Sequence, residues 1–201
     1  MKLRESFYTR KDVLQVAHDL LGKVLVTRFN GVLTSGMIVE TEAYAGEGDK
    51  ASHASGGRRT ARTEVMYARG GTAYVYLCYG IHHLFNVVTN AENVPHAVLI
   101  RGIEPLEGIN DMLERRGKER LSSSLTAGPG ALSRALGIHT AHSGTSLLGE
   151  ELYIEDRGIK IAPADIVAGT RVGVAYAQED ALLPYRFSVK GNKYVSKGKG
   201  L

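Results

Sequence analysis

The sequence contains a single cysteine, Cys78, no tryptophan and no long hydrophobic run. One cysteine excludes an intramolecular disulfide bond and a zinc site made of several cysteines, and it is compatible with a reducing compartment. Charged residues begin at Lys2, so the N-terminus lacks the apolar stretch of a signal peptide. The apolar run at residues 97–100 is too short to span a bilayer. We therefore expect a cytoplasmic protein with no membrane partner.

The composition is that of a folded, slightly basic protein. Of the 201 residues, 43% are hydrophobic and 23% are charged, with 25 Lys and Arg residues against 21 Asp and Glu residues. The length predicts one domain over residues 1–201, with the KGKGL ending at 197–201 as a flexible tail. No glycine-rich loop between a strand and a helix matches a dinucleotide or phosphate-binding fingerprint, so we expect no nucleotide cofactor.

Hydrophobic periodicity predicts a mixed fold. A helix is predicted over residues 13–21, and Asn30-Gly31 is typical of a tight hairpin turn. Strands are predicted at residues 23–28, 32–44, 72–79, 83–89 and 97–103. Further helices are predicted from Glu104-Pro105 to Arg116 and from Gly128-Pro129 to Gly137, and short strands at residues 152–196. Clustered strands with helices at the start and in the middle predict a single α+β domain.

Two carboxylates lie late in a strand that is otherwise apolar. Glu40, Glu42 and Tyr44 are spaced to share one strand face, after the apolar run at residues 37–39. Arg101 interrupts another apolar strand, and a buried arginine requires an anionic partner, which Glu42 or a phosphate could supply. A carboxylate in this setting is typical of a general base. A solvated strand edge or a purely structural ion pair would have the same pattern.

The segment at residues 52–62 is glycine-rich and basic. The wider stretch at residues 50–69, here called the basic loop, has one acid, Glu64. It has five cations, which are Lys50, Arg58, Arg59, Arg62 and Arg69. Such a loop is suited to phosphate contacts, because glycine lets the backbone approach closely. A flexible solvated loop would have the same composition.

Tyrosines are concentrated just after this loop. Tyr74 and Tyr76 are spaced to share one strand face, whereas Tyr79 falls at the following turn. Tyrosine forms strands well, so ordinary sheet packing explains the pattern, and so do base stacking and insertion into a duplex. Asn86 interrupts an apolar strand, where a structural amide is the simplest explanation. The histidines lack the spacing of metal ligands, so no metal site is predicted, and His53 beside the basic loop is the one candidate site histidine.

Four motifs occur in order along the chain: VETEAY at 39–44, SHASGGRRTAR at 52–62, GTAYVYLCYG at 71–80 and LIRGIEPLEG at 99–108. Together they closely resemble the alkyladenine, or 3-methyladenine, DNA glycosylase family, with weaker matches over most of the remaining chain. The resemblance implies one domain with a curved antiparallel sheet and flanking helices. It also implies a monofunctional enzyme, without a cofactor, that flips damaged purines out of double-stranded DNA and starts base excision repair. We expect a monomer, because one flipped base needs one pocket.

The resemblance also assigns roles to residues at matching positions. Glu42 would activate water, with Arg101 and the main-chain carbonyl of Val172 holding that water and the carboxylate. The base pocket would consist of Tyr44, His53, Tyr76 and Asn86, with Asn86 excluding guanine. Tyr79 would fill the gap left in the duplex. The DNA backbone would be contacted by Arg58, Thr60 and Arg62.

Two other functions fit part of the pattern. A module that binds distorted nucleic acid without chemistry would use the basic loop and the tyrosines but not Glu42 or Arg101. A hydrolase of small nucleosides would use the acid but neither Tyr79 nor the loop. Release of a base from alkylated duplex DNA, compared with release from a free nucleoside, distinguishes the three.

Overall fold

The fold is built around one curled antiparallel sheet of eight strands, as seen in a computed structural model that describes residues 1–198 and Gly200. The strands are β1 (Val24–Phe29), β2 (Val32–Tyr44), β3 (Ala73–Cys78), β4 (His82–Thr89), β5 (His96–Glu107), β6 (Leu152–Glu155), β7 (Ile166–Gly169) and β8 (Arg186–Val189). Their main order is β3-β4-β5-β2-β1-β6, and β8 joins β2 to β7. The predicted α+β class with a curved antiparallel sheet is confirmed. Of the predicted tail at 197–201, Lys199 and Leu201 lie outside the described residues, and its flexibility stays a prediction.

Among the described residues, four short α-helices flank the sheet: α1 (Glu5–Tyr8), α2 (Val13–Asp19), α3 (Ile109–Arg116) and α4 (Pro129–Leu136). Asp12 caps α2 by accepting from the N–H groups of Leu14 and Gln15. The main core lies where α2, α3 and α4 cover the sheet, and it includes Val16, Leu20, Ile38, Phe85, Ile100, Met112 and Leu132. In the part of the chain that the structure describes, no helix combines the length and apolar character needed to cross a membrane.

Most predicted elements are present within a few residues of their expected bounds. The hairpin turn between β1 and β2 is confirmed, since Asn30 and Gly31 both adopt positive φ angles of 52° and 80°. The predicted helix from Glu104 to Arg116 is wrong in its first turn. There β5 continues through Glu107, and α3 begins only after Gly108, whose left-handed conformation ends the strand. Pro105 is tolerated because it faces Gly36 beside a register shift of the sheet.

The middle of β2 is enclosed on both edges. Its first part pairs with β1, whereas Glu40, Thr41 and Glu42 pair with β8 on one side and lie against β5 on the other. All three side chains are fully buried. Buried carboxylates are costly unless they are hydrogen-bonded or paired with cations, so this part of the sheet requires compensating groups nearby.

Candidate active site

Two compensating bulges bring a cation to the buried carboxylates. The register between β2 and β5 steps from Ile38–Ile103 to Glu40–Gly102 and then to Thr41–Ile100. The first step adds a residue to β2, and the second leaves Arg101 as the extra residue on β5. Bulges re-aim side chains next to functional sites. Here Arg101 lies against both carboxylates, with Nε 3.0 Å from Glu40 Oε1 and Nη1 3.3 Å from Glu42 Oε2.

Glu42 has three partners that hold its carboxylate in one orientation. Its Oε1 accepts from the main-chain N–H of Val172 at 2.7 Å, and its Oε2 accepts from the Tyr44 hydroxyl at 2.9 Å. Arg101 supplies the third contact and the balancing charge. Burial, followed by the charge of Glu42, raises the pKa of Tyr44 well above its usual value, so its phenol remains a donor. The structure therefore brings Glu42, Arg101 and Val172 together with Tyr44.

Val172 contacts the carboxylate through its N–H group, whereas the sequence-based expectation concerned its carbonyl. The N–H contact orients Glu42. A role for the carbonyl in holding water stays a prediction.

The partners of Glu42 line a cleft of about 650 Å³, and the lining of this cleft includes five tyrosines. The volume is in the range of small-molecule sites in proteins. The lining includes Tyr44, His53, Tyr76, Asn86, Arg101 and Val172. His53 and Tyr76 pack edge to face, with ring centroids 4.6 Å apart. The four predicted pocket residues thus share one cavity with Arg101 and Val172. Glu42 lies outside the lining, in contact with Tyr44, Arg101 and Val172.

His53 is held in the cleft by two hydrogen bonds to its ring. Arg62 Nη2 donates to Nε2 at 3.2 Å, so Nδ1 is the protonated nitrogen that donates to the Tyr74 hydroxyl at 2.9 Å. Burial and then the charges of Arg62 and Arg58 lower the pKa of His53 to about 4. The imidazole is therefore neutral at physiological pH.

Asn86 is buried at the cleft, where its amide group anchors it to neighbouring backbone. Nδ2 donates to the carbonyls of Tyr74 at 3.2 Å and Leu84 at 3.3 Å. Asn86 is thus a hydrogen-bonded structural amide, and it also lines the cleft.

The hairpin between β3 and β4 presents apolar side chains to solvent. Tyr79 is 89% exposed and has a φ of 51°, which is unusual for a bulky residue. Leu77 and Ile81 beside it are also exposed. Strain and exposure of large apolar groups at one loop tip favour a binding role. Tyr79 also lies at the rim of the cleft.

The basic loop differs internally in how its cations are paired. Lys50 pairs with Glu179 at 2.6 Å, Arg59 with Glu64 at 2.7 Å, and Arg69 with Glu5. Within residues 1–198 and Gly200, Arg58 and Arg62 have no carboxylate partner. Arg62 lies at the cleft, 4.9 Å from the Tyr76 ring centre, whereas Arg58 and Thr60 are exposed outside it. The two unpaired arginines remain available to an anionic ligand.

Comparison with known proteins agrees with this arrangement. Residues 6–193 match the family model of methylpurine-DNA glycosylase. The chain belongs to the methylpurine-DNA glycosylase family. It is accordingly a DNA glycosylase, a hydrolase that acts on DNA in repair.

Several bacterial relatives of this family match nearly the whole chain. A Clostridium perfringens protein is 48% identical and a Clostridium acetobutylicum protein 49% identical, each over 98% of this chain and over 100% and 98% of their own lengths. A Chlamydia felis protein is 45% identical over 96% of this chain and 100% of its own length. All three are provisionally named 3-methyladenine DNA glycosylases.

Sequence reasoning missed a second buried ion pair of this glycosylase. Arg171 is fully buried and donates to both oxygens of Asp49, at 2.5 and 2.9 Å, and to the Ala43 carbonyl at 2.9 Å. Its guanidinium lies 4.9 Å from the ring centre of Tyr44. Arg171 thus fixes Tyr44 and places the neighbouring Val172 beside Glu42. An arginine in a loop gives no sequence signal of burial, which explains the omission.

No metal site accompanies these residues in the described part of the chain. Within residues 1–198 and Gly200, no group of three or more His, Cys, Asp and Glu side chains is arranged to hold a metal ion.

Proposed function

We propose that this glycosylase flips alkylated or deaminated purines out of duplex DNA and hydrolyses their N-glycosidic bond. The candidate substrates are 3-methyladenine, 7-methylguanine, hypoxanthine and ethenoadenine. The glycosidic bond is shielded inside the base stack, so an enzyme with a buried acid must extrude the nucleotide to reach it. The observation that carries the proposal is Glu42, which is fully buried and held by two hydrogen bonds and an ion pair to three residues that line the cleft.

In the proposed step, Glu42 accepts a proton from a water molecule that attacks C1′ of the flipped nucleotide. A bond forms between the water oxygen and C1′, the bond from C1′ to the base nitrogen breaks, and its electron pair leaves with the base. The carboxylate also stabilises the positive charge that develops on the sugar. Arg101 and the N–H of Val172 keep the carboxylate in one orientation throughout. The carbonyl of Val172 is proposed to help hold the water.

Base recognition is assigned to the aromatic walls of the cleft. Tyr44 would stack on one face of the base, with Tyr76 and His53 on the other, because aromatic rings favour flat, delocalised ligands. A cationic alkylpurine gains further from the electron-rich ring faces. Asn86 would exclude guanine by crowding its 2-amino group. Cationic purines are already good leaving groups, so no general acid is required for them. A neutral base such as hypoxanthine takes a proton from water as it leaves.

Duplex binding is assigned to the hairpin tip and the basic loop. Tyr79 would occupy the space vacated by the flipped nucleotide, and its exposure and strained backbone support this role. Arg58, Thr60 and Arg62 would contact the DNA backbone, because neutralising phosphates is the main source of affinity for DNA. One cleft for one base supports action as a monomer on double-stranded DNA.

A binding module without chemistry is the second candidate. The exposed Tyr79 and the two unpaired arginines favour it as much as they favour an enzyme. A binding module gives no reason to bury the Glu42 carboxylate, which costs free energy and requires oriented partners. A hydrolase of free nucleosides explains Glu42 but not the exposed hairpin tip.

The test is single-turnover base release from duplexes containing hypoxanthine or 3-methyladenine, with a binding titration alongside. Glu42→Gln keeps the shape but cannot take a proton from water, so release should fall by about 10²–10⁴-fold. Binding should survive, because phosphate and stacking contacts do not involve the carboxylate. Glu107→Gln is the matched control, since Glu107 pairs with Arg157 at the surface rather than in the cleft.

The outcomes separate the three candidates. A Glu42→Gln variant with parental release would remove Glu42 from the role of base. A parent that binds lesions tightly but never releases a base would establish the binding module. Faster release from free nucleosides than from duplexes would favour the nucleoside hydrolase.

A further inference from the structure

Glu40 is a second buried carboxylate beside Glu42, and the proposed step gives it no part. It is fully buried and accepts four hydrogen bonds. Its Oε1 accepts from Arg101 Nε at 3.0 Å, Arg186 Nε at 2.8 Å and the Ser196 hydroxyl at 2.9 Å. Its Oε2 accepts from the main-chain N–H of Ser196 at 2.6 Å. So many donors around one carboxylate indicate a fixed structural hub.

The C-terminal segment from Ser196 to Gly198 is attached to this hub. Arg186 donates to the carbonyls of Ser196 at 3.4 Å and Gly198 at 3.0 Å. The segment lies directly against the guanidinium of Arg101, since a Cβ atom added at Gly198 would be 3.3 Å from Arg101 Nη2. Residues 196–198 therefore form one wall around Arg101.

The three nitrogens of Arg101 are consequently divided among three partners. Nε donates to Glu40, Nη2 donates to the Ser196 hydroxyl at 3.2 Å, and Nη1 lies 3.3 Å from Glu42. A guanidinium is planar, so two of these contacts fix the direction of the third. Two arginines and two glutamates also balance in charge, which a buried cluster requires.

We propose that Glu40, together with Ser196, is a positioning element that aims Arg101 at Glu42 during base release. This inference rests on the proposed function of Glu42. Glu40 acts through Arg101, because only one edge of the guanidinium then remains for the reacting carboxylate. Without Glu40, Arg101 would be held on that side by Ser196 alone. Its guanidinium would then have Glu42 as its remaining carboxylate partner and would no longer keep a fixed direction toward it.

The experiment is a double-mutant cycle between Glu40 and Arg101. Release of hypoxanthine from a duplex is measured in single turnover, together with the dissociation constant, for the parent, Glu40→Gln, Arg101→Lys and the double variant. Glu40→Gln should slow release by about 10–100-fold, the loss typical when a group that orients a ligating residue is removed. Duplex affinity should change less than about three-fold, because stacking and phosphate contacts remain. The double variant should be no slower than Arg101→Lys, since groups that act as one unit are not additive.

Ser196→Ala provides a milder variant if Glu40→Gln folds poorly. It removes one neutral hydrogen bond to Glu40 and one acceptor for Arg101 but leaves the buried charges balanced. It should slow release by about 3–10-fold with parental affinity and melting temperature. Its effect should also disappear in the Arg101→Lys background.

A purely structural role would lower the melting temperature and reduce release only in proportion to the folded fraction. Parental release by folded Ser196→Ala, or effects that multiply with those of Arg101→Lys, would overturn the inference and leave Glu42 in its role. A parent that releases no base would instead overturn the proposed function and this inference with it. Glu107→Gln again serves as the surface carboxylate control.

Discussion

Arg62 donates to Nε2 of His53 across 3.2 Å, and its charge adds to burial in keeping the imidazole neutral. The pKa of His53 is lowered to about 4 by burial and then by the charges of Arg62 and Arg58. In the unfolded chain the pKa would be about 6.5. Between these values the unfolded chain binds a proton that the folded protein does not, so stability falls as the pH is lowered.

His53→Gln should therefore weaken the acid sensitivity of folding. Between pH 7.5 and pH 5 the parent should lose about 2 kcal/mol more of its free energy of unfolding than the variant. Urea unfolding at the two pH values measures the difference. Equal losses in parent and variant would contradict a neutral buried His53.

Arg58→Ala and Arg62→Ala should each reduce the salt dependence of duplex affinity. Every lost phosphate contact lowers the slope of log affinity against log salt by about 0.9. Arg59→Ala is the matched control, because Arg59 is already paired with Glu64. Titrations between about 50 and 200 mM salt give the slopes. Equal slopes for all three variants and the parent would show that the loop is merely solvated.

Tyr79→Ala should weaken lesion binding and slow base release, because the flipped state loses the side chain that fills the duplex. The expected loss is about 1–3 kcal/mol, as for stacking of an aromatic on a base. The free energy of unfolding should change by less than about 0.5 kcal/mol, since the side chain is exposed. Leu148→Ala, another exposed apolar residue, should alter neither binding nor release. A sharp fall in melting temperature with normal release would assign Tyr79 to packing instead.

Asn86→Ser should relax discrimination against guanine, because a shorter side chain leaves room for its 2-amino group. Slow release of undamaged guanine should increase by roughly ten-fold or more, the selectivity that one steric contact provides. Release of hypoxanthine, which lacks that amino group, should stay close to the parental rate. Single-turnover assays on matched duplexes compare the two bases, and unchanged guanine rejection would remove Asn86 from this role.

The fold was largely predictable because hydrophobic periodicity is local. The span of β2 and the start of α4 at Gly128-Pro129 follow from patterning and from turn residues. The error at Glu104-Pro105 has a physical origin. Pro105 fits the first turn of a helix, but pairing with Gly36 across the sheet outweighs that local preference.

The site was predictable only in part, for the same reason. Residues that share a short motif, such as Glu42 and Tyr44, could be placed together from strand geometry. The bulge that directs Arg101 toward Glu40 and Glu42 depends on the register between two strands that are far apart in sequence. Arg186 and Ser196 reach Glu40 from the end of the chain, and no spacing rule connects them.

Enclosure of β2 by β5 and β8 also governs how the protein loses activity. Backbone amides in such a doubly paired, buried strand exchange with solvent only when most of the molecule opens. The strand segment around Glu42 should therefore not unfold locally, in contrast to the exposed hairpin tip at Tyr79. Heat should abolish base release and native structure in one transition. Substitutions at the hairpin tip should therefore leave the position of the Glu42 carboxylate unchanged.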